Sequence, residues 1–152
     1  MRYWLVKADP SDISVDDLRN RPNGTIAWYG IRNYQSRNFM RDQMSVGDQI
    51  LFYHSSCKQP GIVGTAEVCK LAYPDSTQFD PNSKYFDLKA TSERPRWFNV
   101  DIKFVSKCQL ISIKELRSIP ALEGMRILQK GNRLSITPVD PAEWKHIIGI
   151  MR

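Results

Sequence analysis

The sequence predicts an α+β domain built on a curved, largely antiparallel sheet of about six strands that closes into a small barrel. Short apolar segments recur along the chain, and short helical segments lie between them. The connections are too short for repeated parallel crossovers, which favours antiparallel pairing. With 152 residues, no internal repeat and no linker, the chain is expected to form one domain spanning residues 1–152.

The first part of the chain alternates strand and helix signals. We predict a strand over 2–7, a short helix through Leu18, a strand over 25–28, a helix over 34–44 and a strand over 49–53. Asp9-Pro10 ends the first strand because proline cannot donate into a ladder. Ser14 and Asp17 have the spacing of a capping box. Gly30 permits the bend after the second strand, and Asn33 is placed to cap the next helix.

The second part of the chain contains the clearest strand pattern. We predict a strand over 61–71, an irregular segment over 73–95, a strand over 97–107, a helix from Ser112 to Ser118, a strand over 133–138 and a helix after Asp140. Apolar and polar residues alternate through 97–107, which predicts one buried face. In the last helix, helical spacing predicts a stripe of core residues: Trp144, Ile147, Ile148 and Met151.

Composition and charge restrict the class of protein. A formal net charge of +6 and a pI near 9.3 permit a nucleic-acid partner without requiring one. No stretch approaches the roughly 20 apolar residues of a membrane span, and the N-terminus is too short for a signal-peptide core. Cys57, Cys69 and Cys108 are expected to be free thiols in a reducing compartment. We therefore expect a cytoplasmic protein, nuclear if eukaryotic, with no membrane partner.

Residues 28–38 form the stretch around which the site is expected. They combine aromatic residues, a glycine bend, arginines and asparagines. This mixture suits a planar, partly charged ligand, because aromatic faces stack, amides read polar edges and guanidinium groups meet phosphates. Residues 52–55 have the same character and follow an apolar strand. We expect the two segments to converge on one pocket.

Individual residues in these segments receive predicted roles. Trp28 and Tyr53 are the expected aromatic walls and Trp97 is the third candidate, although each could instead belong to the core. The predicted pocket for this planar ligand consists of Trp28, Gly30, Ile31, Asn33, Tyr53, His54, Ser55 and Trp97. The predicted contacts to a nucleic-acid backbone are Arg32, Arg37, Lys84 and Arg133.

Signatures of catalysis and metal binding are weak. The chain has two histidines, His54 and His146. A Ser/His couple at His54-Ser55 would need an orienting carboxylate and an oxyanion hole, and no GxSxG elbow is present. A metal site on His54 and Cys57 lacks obvious third and fourth ligands. We expect no cofactor, no metal and no catalytic residue.

Eight segments, spread over nearly the whole chain, carry a family resemblance. They are Tyr3–Lys7, Trp28–Asn38, Val46–Asp48, Phe52–Ser55, Pro60–Gly64, Ala72–Asp75, Trp97–Asp101 and Arg133–Pro138. In these segments the chain resembles the EVE domains of the PUA-like group, relatives of the YTH readers of methylated RNA. The resemblance implies a PUA-like pseudo-barrel of mostly antiparallel strands with short helices around it. It also implies a non-catalytic pocket for a methylated or hydroxymethylated base flipped from DNA or RNA.

The chain departs from the family pattern at a few positions. Tyr29 stands where the family usually has an acidic residue, Ala8-Asp9 where it has Ser-Glu, and Thr137 where it has glutamine. If the first two positions contact the ligand, the choice of base could differ from that of relatives.

Three functions stay open: a monomeric reader of nucleic acid with a modified base, a binder of a free nucleoside-like molecule, and an enzyme acting on a nucleobase.

Overall fold

The computed structural model describes all residues from Met1 to Arg152, and its centre is one six-stranded sheet. The strands are β1 (Tyr3–Ala8), β2 (Thr25–Ala27), β3 (Gln49–His54), β4 (Gly61–Pro74), β5 (Phe98–Ser112) and β6 (Ile136–Val139). Their order is β2-β5-β4-β3-β1-β6, and only the β1–β3 pair is parallel. The predicted α+β class with mostly antiparallel strands is confirmed. Because β2 and β6 do not pair, hydrogen bonds leave the barrel open, as in a pseudo-barrel.

Four short helices surround the sheet. They are α1 (Val15–Asn20), α2 (Tyr34–Asn38), α3 (Ile113–Arg117) and α4 (Pro141–Ile150). The predicted capping box of α1 is present, since Ser14 and Asp17 bond each other's main-chain N–H groups. The predicted long helix after Asn33 is divided, because α2 is followed by a π-helical turn over Phe39–Gln43. None of the helices has the length and apolar character needed to cross a membrane.

The long strands β4 and β5 approach each other closely at two glycines. A side-chain Cβ at Gly61 would lie 2.3 Å from the main-chain oxygen of Ile111, and one at Gly64 would lie 2.3 Å from that of Ser106. These small residues therefore make room for the backbone of β5 rather than for a ligand.

The sheet is buried on both faces, each with its own hydrophobic cluster. On β3, Ile50 and Phe52 join the first cluster, which also contains Trp28, whereas Leu51 and Tyr53 join the second. This division follows from the two-residue side-chain period of a strand. The second cluster also contains Ile147 of α4.

Several predicted boundaries and one core residue are corrected. β4 extends to Pro74, β5 runs from Phe98 to Ser112, and β6 starts only at Ile136. Ile148 was expected in the core but is 41% exposed. It neighbours the fully buried Ile147, and α4 packs against the sheet along a stripe too narrow to cover both.

Candidate functional site

A cavity of about 180 Å³ opens where β1 and β2 end. Its walls come from four parts of the chain: the end of β1 and the loop before α1, one residue directly after α1, the end of β2 with the loop after it, and one aromatic residue from the segment between β4 and β5. The lining residues are Lys7, Ala8, Asp9, Asp12, Ile13, Arg21, Ile26, Ala27, Trp28, Tyr29, Gly30, Ile31 and Tyr85. Predicted pocket residues Trp28, Gly30 and Ile31 thus share one cavity.

The loop after β2 is held in a bent conformation by Gly30. This glycine has a φ of +86°, which residues with a side chain rarely adopt. A Cβ at this position would lie 2.7–3.0 Å from three ring atoms of Tyr85. Glycine is therefore required both for the bend and for the approach of Tyr85, which forms a wall of the cavity.

A buried carboxylate anchors the same loop. Asp75 is fully buried and accepts hydrogen bonds from the main-chain N–H of Gly30 at 2.8 Å and from Thr77. Burial alone would raise the pKa of Asp75, but the bonds from Gly30, Thr77 and Arg32 outweigh it and hold the pKa below its ordinary value. Asp75 therefore stays ionised at neutral pH and fixes the backbone of the cavity wall.

Arg32 does not have the free guanidinium that a predicted phosphate contact needs. Its side chain makes five hydrogen bonds, which end on the main-chain oxygens of Tyr85 and Ile31, the carboxylate of Asp75 and the hydroxyl of Thr77. A guanidinium has five N–H donors, so its donors are all used within the protein. Arg32 instead ties the loop after β2 to the segment that carries Tyr85.

Trp28 belongs both to the core and to the cavity. It is 7% exposed, is a member of the first hydrophobic cluster, and meets Phe52 edge to face at a centroid distance of 5.8 Å. At the same time it borders the cavity beside Gly30. Trp28 is therefore both a core residue and a residue of the cavity wall, whereas on the sequence alone these roles were alternatives.

Tyr53, His54 and Ser55 do not join this cavity. Tyr53 lies in the second hydrophobic cluster, on the face of the sheet opposite Trp28, so it cannot be a wall facing Trp28. The Nε2 atom of His54 accepts the main-chain N–H of Val15 at 3.1 Å, and Ser55 donates its main-chain N–H to Ala8. All three residues therefore have structural roles at the end of β3.

Trp97 and Asn33 are also used within the fold. The indole N–H of Trp97 donates to Asp87 at 2.8 Å, and its ring stacks on Tyr34 at a centroid distance of 4.7 Å. The side-chain oxygen of Asn33 accepts the main-chain N–H of Ser36 and so caps α2, as predicted. Neither residue borders the cavity.

A cationic and aromatic surface adjoins the cavity. The Arg32 guanidinium lies 5.5 Å from the centre of the Tyr85 ring and 5.3 Å from that of the Trp97 ring. Because Trp97 stacks on Tyr34, the aromatic surface extends from Tyr85 in the cavity wall through Trp97 to Tyr34. Arg37 covers Tyr34 at 4.6 Å and donates to main-chain and amide oxygens. Predicted backbone contacts Lys84 and Arg133 are both solvent-exposed.

Reasoning from the sequence did not assign ten of the thirteen lining residues to the pocket, and four of these ten have aromatic or carboxylate side chains suited to a ligand. Two of the four, Tyr29 and Asp9, stand at positions where the chain departs from the family pattern. Tyr29 and Tyr85 meet edge to face at 5.9 Å, and Tyr29 is 48% exposed. Asp9 and Asp12 supply carboxylates on the other side, and hydrogen bonds from Ser11 lower the pKa of Asp9. The available signals were the length of the segment that carries Tyr85 and the position of Asp9 directly after a strand.

The structure also bears on the possible metal site at His54 and Cys57. No group of three or more His, Cys, Asp or Glu side chains is arranged to hold a metal ion. Cys57 is a free thiol in the loop after β3, and the imidazole of His54 already accepts a hydrogen bond at Nε2.

Comparisons with known proteins agree with the geometry. The sequence model of the EVE domain matches residues 2–150. Thymocyte nuclear protein 1 of Gallus gallus is 37% identical over 166 residues, which cover 97% of this chain and 68% of that protein. A Pseudomonas putida protein of known structure is 43% identical, with a TM-score of 0.92 and 97% coverage of both chains.

A further solved structure includes a ligand. The human THYN1 protein, solved in complex with DNA containing 5-methylcytosine, is 36% identical, with a TM-score of 0.92, and the match covers 98% of this chain and 96% of that one. The family match includes every residue that lines the cavity. The chain described here therefore belongs to the EVE domain family.

Proposed function

We propose that this chain is a non-catalytic reader that holds a modified base of nucleic acid, first of all 5-methylcytosine in DNA, in the cavity at Trp28–Ile31. One observation carries the proposal. The chain has a small cavity with aromatic, main-chain and carboxylate groups in its wall, and it shares its fold with the human THYN1 protein solved with 5-methylcytosine-containing DNA.

The size of the cavity supports a single-ring ligand. Its volume of about 180 Å³ is below the range of about 300–1,000 Å³ that is common for drug-sized ligands. A base taken out of a stack costs a few kcal/mol, and one stacking contact with an aromatic ring returns about 1–3 kcal/mol. Tyr29, which is 48% exposed, and Tyr85 also line the cavity and are placed to supply such contacts.

The polar groups of the wall suit a base edge with both donors and acceptors. The carboxylates of Asp9 and Asp12 accept hydrogen bonds, as an exocyclic amino group requires. The main-chain N–H of Ile31 has no acceptor within the protein and can donate to a carbonyl oxygen or a ring nitrogen. Cytosine carries an amino group beside such acceptors, whereas thymine has no amino group.

Cations near the cavity suit the phosphates that flank a flipped base. Lys84 precedes the cavity residue Tyr85, lies 5.1 Å from its ring and is solvent-exposed. Arg37 and Arg133 are the further proposed contacts, whereas Arg32 acts through the cavity wall. Contacts of this type raise affinity without reading sequence.

The testing experiment is a binding screen with matched oligonucleotides that differ only at one base: cytosine, 5-methylcytosine or 5-hydroxymethylcytosine. Each is tested as single-stranded and double-stranded DNA and as RNA, beside the free nucleosides. We expect tighter binding of a modified oligonucleotide than of its unmodified match. Affinity that does not depend on the base would contradict the proposal, and equal affinity for the free nucleoside would indicate a small-molecule binder.

The absence of catalysis is tested in the same samples. After incubation with the protein, the oligonucleotides are digested and their nucleosides are separated by mass. We expect the 5-methylcytosine content to remain unchanged over many hours. Loss of the base or of its methyl group would instead identify an enzyme, for which Asp9 and Asp12 are the carboxylates in the cavity wall.

A further inference from the structure

The four tryptophans of the chain differ in the partners of their indole N–H groups. Those of Trp4 and Trp97 donate to carboxylates at 3.0 and 2.8 Å. Trp144 has no acceptor, but it lies partly exposed on α4, where its ring stacks on Tyr3. Trp28 is the buried tryptophan whose N–H has no acceptor within the protein.

The indole N–H of Trp28 is not enclosed by protein atoms. Three side-chain atoms in the protein are both fully enclosed and without a partner, and they belong to Ser36, Asn99 and Asn132. The Trp28 nitrogen is not one of them, so it keeps contact with open space although the residue is only 7% exposed. The open space that Trp28 borders is the cavity. A donor left without water or a partner would cost about 1–3 kcal/mol, and facing the cavity avoids that cost.

An indole N–H lies in the plane of its ring. A Trp28 side chain that directs this bond to the cavity presents its edge there, so it cannot offer the same ligand its stacking face. The main-chain N–H of Ile31, in the same wall, is also without an acceptor. The wall therefore carries two unused donors close to each other in the chain.

We propose that the Trp28 indole N–H donates a hydrogen bond to an acceptor on the edge of the bound base, a carbonyl oxygen or a ring nitrogen, and so determines which base is selected. This inference rests on the proposed function and changes the part that Trp28 plays in it. Stacking comes from Tyr29 and Tyr85, and Trp28 reads the edge. A base that presents a donor at this point leaves two N–H groups facing each other and is rejected.

Hydrogen exchange tests, without any ligand, whether the indole N–H of Trp28 reaches the cavity. Indole N–H signals are resolved by proton–nitrogen NMR, and their exchange with solvent is measured in the free protein. We expect the Trp28 signal to exchange faster than those of Trp4 and Trp97, whose N–H groups are bonded. Protection of Trp28 equal to that of Trp4 would overturn the inference, because the N–H would then not reach the cavity.

Binding measurements test the second step. Replacing the Trp28 indole by benzothiophene, through an unnatural amino acid, keeps the ring shape and removes only the N–H. We expect about tenfold weaker binding of the modified oligonucleotide and a smaller preference for the correct base, with an unchanged melting temperature. Trp28→Phe should show the same loss of preference with some loss of stability. Trp144→Phe is the control and should bind as the wild type does.

The outcomes separate this inference from the proposed function. If the wild type prefers a modified base and the benzothiophene protein has the same affinity and preference, the hydrogen bond is refuted and the reader function stands. If the wild type shows no preference among bases, the proposed function fails, and the selective role of Trp28 fails with it.

Discussion

The carboxylate of Asp75 accepts a hydrogen bond at 2.8 Å from the main-chain N–H of Gly30, a residue 45 positions away in the chain. The same carboxylate oxygen forms an ion pair with Arg32 at 3.1 Å. Through these two contacts, the segment after β4 determines where the loop after β2 lies. The cavity wall is therefore set by a long-range polar network in addition to the hydrophobic core.

Replacing Asp75 by asparagine should destabilise the protein through this network. Asp75→Asn removes the charge that pairs with the partly buried Arg32, and we expect a decrease of about 2 kcal/mol in the free energy of unfolding. Urea denaturation measures it. Asp42→Asn is the matched control, because the Arg41–Asp42 pair is exposed to solvent and should stabilise the protein much less. Equal effects of the two substitutions would show that the Asp75 network does not stabilise the loop.

Alanine at Gly30 should disturb the cavity by displacing Tyr85. Gly30→Ala places a Cβ against the Tyr85 ring and forces a positive φ on alanine, so we expect a loss of about 1–3 kcal/mol of stability together with weaker binding of the base. Gly47→Ala is the control, because Gly47 has a φ of +94° and no atom within 4 Å of the added Cβ. The double variant Gly30→Ala/Tyr85→Ala should regain part of the stability lost. No recovery in the double variant would count against a clash with Tyr85.

Lys84 should contribute one phosphate contact. Oligonucleotide affinity is expected to fall as salt rises, and Lys84→Ala should reduce the slope of log affinity against log salt by about one contact without changing the preference for the modified base. Lys145→Ala removes the same charge from α4 and should leave the slope as in the wild type. A slope that is unaffected by Lys84→Ala removes this residue from the interface.

His54 should make stability depend on pH. Burial lowers its pKa, and the nearby Asp16 and Asp17 oppose that effect. The unfolded chain, with a histidine pKa of about 6.5, then binds more protons than the folded chain below that pH. The free energy of unfolding therefore falls as the pH drops from about 6.5 to the lower pKa of the folded state. Protonation also breaks the bond from Val15 to Nε2.

A glutamine at position 54 tests this dependence, because its side-chain oxygen can accept the Val15 N–H and does not titrate. Urea denaturation at pH 7.5 and pH 5.5 should show a smaller decrease in the free energy of unfolding for His54→Gln than for the wild type. Identical pH profiles for His54→Gln and the wild type would contradict the assignment to His54.

Much of the fold was predictable because its signals are local. Capping residues such as Ser14 and Asn33 act within one turn of helix, and both form the predicted bonds. The alternation of apolar and polar residues in the first half of β5 marks a strand whose two faces differ in burial. Likewise, the glycine at position 30, directly after a short strand, predicted the bend that forms one wall of the cavity. A single glycine is a local signal for such a bend, because glycine readily adopts a positive φ.

The rest was decided by contacts between distant segments. Phe52 and Tyr53 are neighbours on β3 and so face opposite sides of the sheet, but only the assembled sheet shows that Phe52 lies on the side of Trp28 and Tyr53 on the other. Tyr85 reaches Gly30 across a long irregular segment whose course no local pattern specifies. The sequence by itself therefore determined the fold class, the family and the stretch at Trp28–Ile31. Tertiary structure alone decided which aromatic rings meet there and that the donors of Arg32 are all bonded within the cavity wall. The reason is that side-chain partners far apart in the chain are fixed only when the whole sheet assembles.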